Sequence, residues 1–215
     1  MPKETFLNLP PEKRELIENV AVHEFAEYGY DLASVNRMVA AAGIAKGSFY
    51  QYFEDKKDLF MFLMDQIVQK KIAYLSPIAF EPQAHDFFTL LRELFLSGLR
   101  FAAANPERAK IGDWLMKNTG HEIYIELMKN SEGKSSDFYL AMLKNAEAKG
   151  EIRKGLNLPY ISDLLTEFSI SMVNVVYQKS GEAFLLDEET MMKHVDAMID
   201  LFKFGLINQG GQNDD

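Results

Sequence analysis

Twenty consecutive residues of this chain, AAGIAKGSFYQYFEDKKDLF from Ala41 to Phe60, gather side chains suited to contact with a polyanion. Lys46, Ser48, Tyr50, Gln51 and Tyr52 are all hydrogen-bond donors of the kinds that meet phosphate oxygens and base edges. Phe49 and Phe53 fall between them at the four-residue spacing of one helical face. A helix here turns two rings inward and its donors outward. Gly47 costs such a helix about 1 kcal/mol, which makes sense where the backbone must approach another surface closely.

Other chemistry is poorly supported. The chain has no Cys, which excludes disulfides, thiolate metal sites and cysteine nucleophiles. Its four histidines, His23, His85, His121 and His194, are scattered singly without metal-ligand spacing. No nucleophile elbow, P-loop or dinucleotide fingerprint is present, and the nearest glycine cluster is Gly210-Gly211 near the end. The paired acids Glu188-Glu189 read as favourable charge at a helix start. Neither an enzyme nor a bound metal or cofactor is expected.

The elements that must position the donors are helical. Pro10 and Pro11 open a first helix whose apolar face is Leu16, Ile17, Val20, Ala21 and Phe25, with Gly29 as its stop. A second runs from about Ser34 to Ala42 with Val35, Met38, Val39 and Ala42 inward, and Gly43 makes the turn. The third follows from Lys46 to about Phe53. Asp55 is the expected N-cap of a long fourth helix carrying Leu59, Phe60, Leu63, Ile67, Val68 and Ile72, closed by Pro77. Two short helices joined by a glycine turn form a helix-turn-helix unit able to present its last helix to the major groove, although topology alone fits a plain structural corner as well.

Beyond a proline-containing break at Ser76 to Gln83, periodicity predicts helices at about 83–104, 106–118, 122–129, 135–149, 159–179 and 188–204. No alternating β-branched run suggests a sheet, so the fold class is all-α with about nine helices. The expected organisation is a head over residues 1–55, a helical body over 56–207 and a disordered tail over 208–215, whose INQGGQNDD has no apolar period.

Composition permits this reading without identifying it. With 47% hydrophobic and 26% charged residues the chain can build a core. It shows no signal-peptide pattern and no apolar run long enough to span a membrane, which with the missing Cys points to the cytoplasm. The net charge of -9 is unusual for a nucleic-acid binder, and residues 1–60 carry seven Lys and Arg against ten Asp and Glu. From Arg37 to Lys57, however, four cations face only Glu54 and Asp55. Positive charge is concentrated on the stretch that carries the donors.

That stretch resembles the signature of the TetR family. Ala42-Gly43 matches the alanine-glycine turn, Lys46-Gly47 the lysine-glycine pair, Tyr50-Gln51-Tyr52-Phe53 the aromatic recognition helix, and Lys56 the lysine three residues after its Phe. Phe25, Gly29-Tyr30, Val35 and Met38 match upstream, so about fifty residues take part. The resemblance implies a DNA-binding transcriptional regulator, most often a repressor. It implies that Lys46 and Gly47 approach bases, that Tyr50, Tyr52 and Lys56 bond phosphates, and that Ser34 and Arg37 touch the backbone from the second helix. Ser48 and Gln51 are added as plausible readers. One departure is Ala45, where the family has Ser or Thr as N-cap of the recognition helix; Ala caps poorly, at about 0.5 to 2 kcal/mol.

One such head makes few contacts, so a homodimer on a palindromic operator of double-stranded DNA is expected. The last two helices suit dimerisation, with Met191, Val195, Met198 and Phe202 as a stripe that Met192 and Ile199 widen; the lesser alternative is that both helices merely fill the protomer's own core. Aromatic and methionine positions in the middle helices are usually core, but together with the resemblance they are compatible with a cavity for a small, largely apolar effector. Trp114, Asn118, His121, Tyr124, Phe168, Asn174 and Tyr177 are its candidate lining. The alternative is a DNA-bound adaptor that recruits a protein partner and senses no small molecule.

Overall fold

The computed structural model describes residues 1–72, 74, 85–131, 134–180 and 187–205; for 72, 130, 131, 134–136 and 170–180 it describes the backbone alone. Eleven helices and no strand occur among the described residues. They are α1 (Glu4–Leu7), α2 (Pro11–Leu32), α3 (Val35–Ala41), α4 (Lys46–Tyr52), α5 (Lys56–Ile72), α6 (Phe87–Ala104), α7 (Pro106–Lys117), α8 (Glu122–Ser131), α9 (Lys134–Lys149), α10 (Leu158–Ser180) and α11 (Glu188–Phe204). The all-α expectation holds, with a short α1 that periodicity did not announce. The expected break at 76–83 and the expected disordered tail at 208–215 lie outside the described residues.

Packing divides the chain into two compact units, one of residues 1–73 and 104–132, the other of 74–103 and 133–215. This division does not follow the expected boundary after residue 55. Helices α5, α7 and α8 belong with the head, because α2 presents apolar and aromatic groups on more than one side and α7 packs along it.

In the first unit the three head helices close around Phe25, Phe49, Phe53 and Phe60, all essentially buried. Phe6 of α1 completes this core, with its ring centroid 4.8 Å from Phe53 and 5.5 Å from Phe62. Such ring pairs add about 0.5–1.5 kcal/mol each to the gain from burial. Leu16, expected on the apolar face of α2, is 47% exposed, while Val22 is buried instead. Helical geometry in α2 breaks at Gly29 (φ 67°, ψ 176°), after which one further turn runs to Leu32. Asp55 caps α5 as expected, accepting from the Asp58 N–H at 2.8 Å, and Asp58 in turn accepts from Glu54 N–H at 3.2 Å.

In the second unit α9 packs along α10, and α6 supplies Leu91, Phe95, Leu96 and Leu99 to the interior. Arg92 of α6 forms a two-pronged pair with Asp196 of α11 at 2.5 and 3.2 Å, holding that carboxyl below its usual range. Met191, Val195 and Ile199 are buried within the protomer, whereas Met192, Met198 and Phe202 are half-buried. The innermost part of the stripe expected to dimerise is therefore protomer core.

Candidate nucleic-acid interface

Helix α4 is positioned from three sides. Phe49 and Phe53 bury their rings below it, as their spacing predicted. Gly43 (φ 63°) turns the chain between α3 and α4 in a conformation that favours glycine. The third support is α1, which the sequence reading passed over. Lys3 donates its backbone N–H to the Tyr52 carbonyl at 2.9 Å and its Nζ to the Tyr50 carbonyl at 3.0 Å, and the Thr5 hydroxyl donates to the Gln51 carbonyl. The last carbonyls of α4 are thus satisfied by the beginning of the chain. The pair Phe6-Leu7 ahead of Pro10 was the available signal. At the other end Ala45 makes no side-chain cap bond.

This support leaves Lys46, Gly47, Tyr50 and Gln51 exposed and Ser48 half-buried. They form a continuous polar row on the first two turns, with no anionic side chain within α4 itself. Tyr52 departs from expectation. Its ring is buried, 5.9 Å from Phe6, because α1 covers that side of α4. No hydrogen bond engages its hydroxyl among the described residues, and no buried side-chain polar atom there lacks a partner, so the hydroxyl reaches the surface.

Lys56 departs further. Its Nζ lies 2.6, 3.1 and 3.2 Å from the carbonyl oxygens of Tyr30, Asp31 and Ala33, and 4.6 Å from the Tyr30 ring centroid. An ammonium has three protons, and three carbonyls at the end of α2 accept them. The side chain ties α5 to α2 and has no donor left for a phosphate in this arrangement. Arg37 is also engaged. Its guanidinium meets the buried Glu24 carboxylate at 2.5 to 3.1 Å, donates to the Leu32 carbonyl at 2.8 Å and stacks 4.1 Å over Tyr28. Glu24 also accepts from the Ser34 N–H at 2.7 Å, and Ser34 in turn caps α3 by accepting from Arg37 N–H at 3.5 Å. These residues hold the α2–α3 corner, with Arg37 still about half exposed along its side chain.

The seven residues expected to line an effector cavity fall in different parts of the fold. Trp114, Asn118, His121 and Tyr124 belong to the first unit and Phe168 to the second; the side chains of Asn174 and Tyr177 lie outside the described residues. Trp114 packs onto α2 so tightly that a Cβ on Gly29 would stand 2.4 Å from its Nε1. His121 pairs with Asp31 at 3.0 Å and lies edge-on to Tyr30 and Trp114. Asn118 donates to the Trp114 carbonyl at 2.7 Å. Phe168 meets Phe202 ring to ring at 5.2 Å. These are packing roles, and they follow from long-range contacts that helical periodicity does not report.

A cavity does occur elsewhere, wholly within the second unit. Its volume is about 660 Å³, and Phe87, Phe88, Leu143, Leu156, Leu165 and Phe202 form much of its wall. None of the seven expected residues lines it.

A glycine-turned pair of helices with a polar, anion-free second helix, set on a helical body, defines a helix-turn-helix protein. Residues 17–61 match the model of the bacterial regulatory proteins of the tetR family. A TetR family transcriptional regulator from Chloroflexus aurantiacus J-10-FL superposes with a TM-score of 0.76 at 31% identity, over 95% of this chain and 98% of that one. This chain belongs to the tetR family. The probable acrEF/envCD operon repressor of Escherichia coli K12 is 32% identical over 110 residues, and the HTH-type transcriptional repressor Rv1474c of Mycobacterium tuberculosis 36% over 76. Those alignments cover 50% and 35% of this chain and 48% and 40% of the relatives, so the chain spans about half the length of the curated relatives it matches, or less. FadR from Bacillus subtilis, in complex with stearoyl-CoA, shares the fold at a TM-score of 0.66 and 18% identity, over 90% of this chain and 99% of that one. Among the described residues no helix is long and apolar enough to cross a membrane.

Proposed function

We propose that this protein is a homodimeric repressor that binds a palindromic operator through α4 and leaves it when a small, largely apolar effector binds the second unit. The observation that carries the DNA-binding reading is the exposed row of Lys46, Gly47, Ser48, Tyr50 and Gln51, held by Phe49, Phe53 and the α1 contacts. Two such heads on one twofold axis read half-sites a helical turn apart or a multiple of it. Phe168 and Leu201, on α10 and α11, are 37% and 39% exposed and suit a dimer surface on those helices. The cavity in the second unit favours the sensor over a filled-core adaptor.

An effector displaces the operator only by the difference in its affinity for the two arrangements of the heads. Helix α5 is the proposed lever, since Lys56 at its first turn grips the end of α2 by three hydrogen bonds. Selection of bound DNA from a random pool with the purified protein tests the central claim. A palindrome should be enriched, and failure to enrich one would overturn it. The salt dependence of operator binding then assigns the cations. Lys46→Ala should lower the slope of log affinity against log salt by about one, while Lys56→Ala leaves it unchanged. The reverse pattern would restore Lys56 as a phosphate contact.

A further inference from the structure

The cavity of the second unit has a wall chemistry that narrows its occupant. Phe87, Phe88, Leu143, Leu156, Leu165 and Phe202 make it chiefly apolar, and its roughly 660 Å³ lies in the range of small-molecule sites. Three charged residues also line it: Glu151, Arg153 and Lys203. Glu151 is engaged, since its carboxylate accepts the Phe87 N–H at 2.7 Å, at the start of α6. Lys203 lies 5.5 Å from the faces of both Phe88 and Phe204, and Asp86 is near enough for the two charges to act on each other. Asp86 itself is held by Thr89 and the first N–H groups of α6, which keep its carboxyl below the usual range. Arg153 is different. It is exposed, and among the described residues it has no hydrogen-bond or ion-pair partner.

We infer that this cavity binds an amphipathic anion, an apolar body seated among the phenylalanines and leucines with one carboxylate or phosphate facing Arg153. Guanidinium is the cation whose planar donors match either head group by two parallel bonds. A second copy of the chain, covering the same opening with an apolar face, would instead bury Arg153 without a counter-charge, which is costly. A neutral apolar molecule would use the wall and leave the guanidinium to water. The inference deepens the sensor reading above and depends on it for its biological use.

Calorimetric titration of the intact protein with dodecanoate, dodecyl phosphate, dodecanol and dodecylammonium tests it. One dodecanoate or dodecyl phosphate should bind per protomer, each tighter than dodecanol by about tenfold or more, the size of a charge-assisted hydrogen bond, and dodecylammonium weakest. The better of the two anions identifies the head group. Decanoate should bind more weakly than dodecanoate by about fourfold for each methylene removed. Arg153→Gln should cost the anions about tenfold and leave dodecanol unchanged, and as a surface change it should not impair folding. Leu156→Trp, which narrows the cavity, should weaken binding of all four with helical content retained.

Equal affinity for dodecanol and dodecanoate, or anion binding indifferent to Arg153→Gln, would overturn the inference. So would an absence of binding accompanied by a Leu156→Trp change in oligomeric state, which would make the cavity part of a contact between copies. Dodecanoate binding that leaves operator affinity unchanged would remove the sensor reading while the site stands.

Discussion

The two units of this protein differ in how far their candidate binding side chains are already engaged. In the first, long side chains that looked available for an outside partner are engaged inside: Lys56 by three carbonyls, Arg37 by Glu24 and Leu32, Trp114 by Gly29, His121 by Asp31. In the second, a cavity of about 660 Å³ remains and Arg153 at its wall has no partner among the described residues. In the first unit the exposed row on α4 thus stands among side chains that are already engaged with one another. Rigidity of the surrounding shell keeps donors aimed at a fixed partner. The second unit keeps an open volume with a charged side chain at its wall.

The contrast is most easily broken at Gly29. Its backbone lies in a region open essentially to glycine alone, and an added Cβ would collide with the Trp114 ring. Gly29→Ala should cost about 3 kcal/mol, whereas Gly43→Ala, with positive φ but open space around it, should cost about 1. The only tryptophan of the chain is Trp114, so urea unfolding followed by its fluorescence reports on this unit directly. Equal effects at the two glycines would refute the close approach of Trp114.

Lys56→Met keeps the length of the side chain and removes its donors. Loss of three carbonyl partners should destabilise the same transition by about 2 kcal/mol. A variant as stable as the parent would show that the ammonium is free for another role.

Ala45→Ser acts in the other direction. An N-cap hydroxyl where none now bonds should raise the stability of the first unit by about 0.5–1 kcal/mol without abolishing operator binding. A lower melting temperature for the Ser variant would contradict the capping account. In the second unit Ile161→Phe, directed at the cavity wall, should change thermal stability by less than about 1 kcal/mol, since there is room to receive the larger side chain. A large loss would mean that the space closes in solution.

The smallest effect expected is a pH dependence at His23, whose Nδ1 lies 2.7 Å from the Glu107 carboxylate. This hydrogen bond, and then the charge of Glu107, raise its pKa above the ordinary histidine value. A folded-state pKa above the unfolded one gives stability that is complete below about pH 6.5 and is lost as pH rises through the raised value. His23→Gln should therefore melt lower than the parent at pH 5.5 and equal to it at pH 8; a gap that persists at pH 8 would assign the effect to packing.

Legibility in the sequence differed between the units for a physical reason. The inward Phe49 and Phe53, the turn at Gly43, the weak cap at Ala45 and the Asp55 cap are all consequences of spacing within a few residues, and each stands where periodicity put it. Tyr52 shows the limit. Its place on α4 suggested an exposed ring, but α1, from the other end of the head, covers that side. Among the candidate cavity residues Trp114 and His121, selected by type alone, have contacts with α2 that periodicity did not report.

By itself the sequence determined the all-helical class, the helix-turn-helix, and the donor row on α4, since a helical period fixes which side chains share a face. Tertiary structure alone decided that Lys56 caps α2, that α7 and α8 belong with the head, and that a cavity opens beside Arg153. Those outcomes depend on groups 20 to 120 residues apart meeting in space, and periodicity along one helix carries no information about which distant helix will face it.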